Sequence, residues 1–72
     1  MDEILLKKLA KRIKELRKEY DYTQDELSFL AKIGRSTLAN IESAQNDVVL
    51  SKLNRLAKVF NMSLSEFLKF DE

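Results

Sequence analysis

The amino-acid sequence predicts an all-α protein, a bundle of five short helices in one domain, residues 1–72. Three observations predict it. The chain of 72 residues holds one glycine and no proline, so little in it interrupts a helix. Its apolar residues recur three and four positions apart, the helical period. Two capping-box pairs, Thr23 with Glu26 and Ser63 with Glu66, mark helix starts inside the chain.

The first helix is predicted from about Glu3 to Tyr20. Leu5, Leu9, Ile13, Leu16 and Tyr20 form its inward stripe, and Ile4 and Leu6 widen it. Lys7, Lys8, Lys11, Arg12, Lys14 and Lys18 fill the remaining surface and read as a solvated face, with Lys18, nearest the second helix, the exception as a candidate contact. Asp21 ends the helix, because Asp enters the left-handed conformation more readily than most residues carrying a Cβ. Thr23 opens a second helix, Gln24 to Ala31, with Leu27 and Ala31 inward and Ser28 small enough for a close helix crossing. Lys32, Ile33 and Gly34 form a turn. A third helix follows from Arg35 to Ser43, with Leu38 and Ile41 inward and either Gly34 or Ser36 as its N-cap. The segment SAQNDVV is the longest non-helical stretch. Leu50, Leu53, Leu56, Ala57 and Phe60 then define a fourth helix that stops at Asn61. Ser63 opens a short fifth, bearing Leu64, Phe67 and Leu68, with Phe70 near its end.

Composition removes several function classes. The chain contains no cysteine and no histidine, which takes away disulfides, thiolate metal sites, the usual general base and the commonest metal ligand. It has no glycine-rich phosphate loop and no convincing carboxylate pair, so no enzyme, cofactor or metal is expected. No apolar run approaches the roughly 18 residues of a membrane span, and charges interrupt the N-terminal apolar positions too soon for a signal peptide. A cytoplasmic protein is the default expectation. Net charge is +1, and the charge is uneven: residues 1–22 carry seven basic and five acidic groups, residues 23–50 two basic and four acidic. An anion-binding surface must therefore rest on a few placed groups and not on a general positive field.

Residues 24–43 fit a helix-turn-helix, two short helices around a tight corner, the second of which is presented to the DNA major groove. From about Leu9 to Leu68 the chain resembles the Xre family of Cro and phage-repressor DNA-binding domains, the lambda-repressor-like fold. The resemblance lies in LAKRIKELRKEYDYTQDEL for the first helix and the start of the second. IGRSTLANIES matches the turn and recognition helix, and LSKLNRLAKVFNMSLSEFL the last two helices. Three positions depart from the family pattern. Lys32 and Asp21 stand where the family usually has Gly, and Gly34 stands where it usually has a Ser or Thr cap. Either Lys32 takes a left-handed conformation, at a cost of roughly 1 kcal/mol, or the turn shifts and Gly34 takes it.

The resemblance implies a DNA-binding face made of Gln24, Arg35, Ser36, Thr37, Asn40 and Ser43. Arg35, at the start of the third helix, suits the edge of guanine or a phosphate. Asn40 suits adenine, Ser36 a base edge or the cap of its own helix, and Thr37 a thymine methyl or a phosphate. Gln24, at the start of the second helix, faces phosphate, with Ser43, Gln45 and Asn46 flanking. Because the loop after the third helix lacks basic residues, weak non-specific binding and a modest salt dependence are expected. Arg17 and Glu42 are expected to form a structural ion pair between the first and third helices. Ile4, Phe70 and one of Leu5 or Leu6 are surplus to a five-helix core and imply a dimer interface at the chain ends; alternatively Phe70 folds back onto its own core.

The implied function is a sequence-specific transcriptional regulator, a repressor that binds a palindromic DNA operator as a homodimer. Two alternatives stay open. One is an antitoxin that binds a partner toxin protein and represses its own operon. The other is a restriction–modification controller.

Overall fold

The computed structural model describes residues 3–70. It contains five α-helices and, among the described residues, no strand: α1 Glu3–Glu19, α2 Gln24–Ala31, α3 Arg35–Glu42, α4 Leu50–Val59 and α5 Leu64–Phe67. α1 packs on α3, α2 on α3 and α4, and α4 on α5. Leu9, Ile13, Leu27, Leu38, Leu56, Phe60 and Phe67 are at most 2 % exposed and form the centre of one core shared by all five helices.

The predicted boundaries of the first four helices hold to within about a residue, α5 ends at Phe67, short of Leu68 and Phe70, and both capping boxes form. The Thr23 hydroxyl accepts from the Glu26 amide while the Glu26 carboxylate accepts from the Thr23 amide, and Ser63 and Glu66 do the same at α5. The first helix turns its stripe slightly from the expected one. Leu6, Leu9, Ala10, Ile13 and Leu16 are buried, whereas Leu5 lies at the edge and Ile4 is 70 % exposed. Leu50, expected inward, is exposed. It is the first residue of α4, where only the later turns, Leu53, Leu56 and Ala57, reach the core. Tyr20 is half in water; its ring meets Phe60 edge-on at 5.0 Å and its hydroxyl donates to the Phe60 carbonyl.

Arg12 does not belong to a solvated face. Its guanidinium donates to the carbonyls of Glu66 and Phe67 and approaches the Met62 sulfur. A cation on the last carbonyls of α5, of which that of Glu66 also accepts from the Lys69 amide, offsets the negative pole of that helix and ties it to α1.

The corner between α2 and α3 is made by Lys32. It lies in the left-handed region (φ 57°, ψ 45°) as the C-cap of α2, with its amide bonded to the Phe29 and Ser28 carbonyls. Gly34 is extended (φ −67°, ψ 147°) and is the N-cap of α3. Three further positions are left-handed, Asp21, Ala44 and Asn61, all just past helix ends, and none is glycine.

Candidate nucleic-acid interface

α3 is eight residues long, about 12 Å at 1.5 Å per residue, the width of a DNA major groove. Its inner face is fixed: Leu38, Ile41 and Glu42 are buried. Its outer face presents Arg35, Ser36 and Asn40 to solvent, with Thr37 and Ala39 half-buried beside them. The structure thus brings the three strongest base-reading candidates onto one exposed surface. Gly34 supplies no side-chain cap, so the first-turn amides of α3 have no side-chain acceptor there.

The helix is held in place by a charged cluster. Arg17 Nε donates to Glu42 Oε2 at 3.0 Å and Arg17 Nη2 to Glu42 Oε1 at 3.1 Å, a two-pronged pair between α1 and the end of α3. Gln24 Nε2 donates to the same Oε1 at 3.0 Å, and Arg17 Nη1 donates to the Tyr22 carbonyl. Glu42 is 5 % exposed and its carboxylate is fully partnered. Arg17, Gln24 and Glu42 therefore couple α1, the start of α2 and the recognition helix. Gln24 is half-buried by this role, and one of its amide hydrogens remains for an outside acceptor.

Ser43 caps α3, and its hydroxyl donates to the Asn40 carbonyl at 3.1 Å, so it gives a proton to phosphate only by releasing that bond. Arg35 is not free either. Its Nε lies 2.9 Å from Asp25 Oδ1 on α2, and both side chains are largely exposed. Nothing in the sequence marks Asp25 for this place, which only the fold of α2 against α3 creates. Phe70 is half-buried and packs on the core, walling a cavity of about 230 Å³ with Leu5, Leu9, Leu53 and Leu68.

Two short helices around a left-handed corner, the second with a polar outer face and a locked inner one, define a helix-turn-helix DNA-binding domain. Residues 13–67 match the helix-turn-helix family HTH_3, and the chain belongs to that family. It is 33 % identical over 61 residues to an uncharacterised HTH-type transcriptional regulator of Archaeoglobus fulgidus, covering 85 % of this chain and 86 % of the relative. It is 36 % identical over 64 residues to the HTH-type transcriptional regulator ImmR of Bacillus subtilis, covering 89 % of this chain and 50 % of ImmR. Among solved structures it is similar to the restriction–modification controller protein C.AhdI from Aeromonas hydrophila (TM-score 0.81, 31 % identity, 86 % of this chain and 94 % of that one). It is also similar to the biofilm master regulator SinR in complex with DNA (TM-score 0.76, 31 % identity, 85 % of this chain and 98 % of that one). The protein is a DNA-binding transcriptional regulator of the Xre, lambda-repressor-like type. Among the described residues no helix is long and apolar enough to cross a membrane.

Proposed function

We propose that the protein is a repressor that binds a palindromic operator as a homodimer, reading each half-site with Arg35, Ser36 and Asn40 of α3. The observation that carries this reading is the division of α3 into an exposed polar face and a face fixed by Leu38, Ile41 and the Arg17–Glu42–Gln24 cluster. A helix held on one side and free on the other presents its side chains to base edges without a backbone ordering cost at docking. One such module, residues 1–72 with its reading unit at 24–43, contacts few base pairs, so two-fold pairing supplies specificity. Ile4 is 70 % exposed beside Leu5, and Leu5 shares a cavity wall with Phe70 and Leu68, which favours self-association through the chain ends. Repression then needs no catalytic step, only occupation of a promoter.

The likeness to C.AhdI along nearly its whole length favours one particular setting, control of a restriction–modification operon. Mapping the DNA protected in the region upstream of the protein's own gene tests the proposal. A two-fold symmetric footprint is expected, and Arg35→Ala and Asn40→Ala each weaken it by about 1–3 kcal/mol while random-sequence affinity changes little. Equal losses on both DNAs would mean phosphate anchoring and would overturn base reading by α3.

A further inference from the structure

We propose that Asp25 is a specificity-determining positioning residue, one that turns the Arg35 guanidinium toward a base edge and keeps it off the phosphates; this rests on the reading of α3 given above. Three observations carry it. Asp25 Oδ1 lies 2.9 Å from Arg35 Nε, across the corner from α2 to α3. The terminal nitrogens of Arg35 have no protein partner among the described residues. And of the three carboxylates around this corner, two are committed elsewhere: Glu26 to the Thr23 amide at 2.9 Å, and Glu42 to Arg17 and Gln24. Of these three, Asp25 is the one that lies beside a base-reading side chain of α3.

The guanidinium is a rigid plane, so an anion held beside Nε biases the direction of the terminal pair of N–H donors. Those two donors match the O6 and N7 acceptors of guanine, whereas cytosine and adenine present an amino group that meets a donor with a donor. Without Asp25 the long Arg35 side chain is free to swing to a neighbouring phosphate, a contact that carries no sequence information. The Asp25 charge also repels the backbone directly, and water leaves the pair as DNA closes over it, so a side-chain contact of little consequence in the free protein gains weight in the complex. Asp25 thus raises discrimination at one base pair and lowers affinity for DNA in general, as a repulsive element against wrong partners does.

The test compares wild type, Asp25→Ala, Asp25→Asn and Arg35→Ala by selection from a randomised duplex library, followed by affinity measurements on the enriched site, the same site altered at the Arg35-dependent base pair, and a random duplex. Circular dichroism is the folding control. Wild type is expected to enrich a guanine whose preference Arg35→Ala abolishes. Asp25→Ala keeps that position but loses about fivefold or more of the discrimination, while binding the random duplex about threefold or more tightly. Asp25→Asn, which keeps an acceptor beside Nε, moves both quantities in the same directions by less. A merely structural role for Asp25 would not tighten random binding. If Arg35→Ala removes a base preference but both Asp25 variants match wild type, the inference fails and the base-reading role of Arg35 stands. If Arg35→Ala leaves the enriched site unchanged, both fail.

Discussion

Replacing Glu42 with Ala removes a buried carboxylate that serves three donors, two from Arg17 and one from Gln24. Removing one member of a fully buried ion pair costs about 3–5 kcal/mol, because the partner is left charged and unpaired. Here Glu42 is buried but the Arg17 side chain keeps 24 % of its exposure, and its Nη1 retains the Tyr22 carbonyl. Water therefore solvates part of the orphaned guanidinium, and a loss of about 2–4 kcal/mol is expected. A chain of 72 residues has a total stability of about 4–11 kcal/mol, so the change approaches half of it. The assay is urea denaturation followed by circular dichroism for wild type, Glu42→Ala, Arg17→Ala and the double variant. Double-mutant coupling above about 1 kcal/mol is expected; additivity to within about 0.5 kcal/mol would refute the idea that the pair holds α3.

Lys32→Gly relieves a left-handed residue that carries a Cβ and should raise stability by about 1 kcal/mol in thermal melts, with no change in DNA sequence preference; Ala44→Gly, at the equivalent position after α3, should act alike. The Ser63 amide and hydroxyl, with Lys69 nearby, hold the Glu66 carboxyl below its ordinary value. A lowered carboxylate stabilises the fold above its unfolded value and loses that contribution as pH falls through the folded one. Acid titration of stability should therefore be shallower in Glu66→Gln than in wild type on the acid side of the carboxylate range. Ile4→Lys should leave the monomer's thermal melt unchanged but shift sedimentation toward monomer at micromolar concentration; an unaltered dimer would remove Ile4 from the interface. Phe70→Ser is the less clean variant, since Phe70 also packs on the core.

The helices were legible because apolar spacing and the Thr23 and Ser63 capping boxes are local signals, each contained in a few residues. The Arg17–Glu42 pair was legible only through family resemblance, since 25 positions separate the two and nothing local links them. The corner was ambiguous for a physical reason. Glycine is the usual left-handed residue, yet the chain's single glycine is extended, and the left-handed places went to Asp21, Lys32, Ala44 and Asn61. Propensity alone could not predict Lys32 or Ala44 there; the surrounding packing imposes the conformation. Arg12 reads as one more surface cation until α5 folds beneath it. Asp25 and Arg35 are ten positions apart, and only the corner between their helices makes them neighbours.

The central claim is that α3 and the start of α2 form the DNA face. Titrating the ¹⁵N-labelled protein with a duplex that carries its protected site, and following backbone amide shifts, tests it most directly. The largest changes are expected at Gln24, Asp25 and residues 34–40, with Ser43 at the margin and the outer surface of α4 silent. Changes centred instead on Lys7, Lys11 and Lys14, the basic face of α1, would contradict the account and move DNA binding to a different side of the molecule.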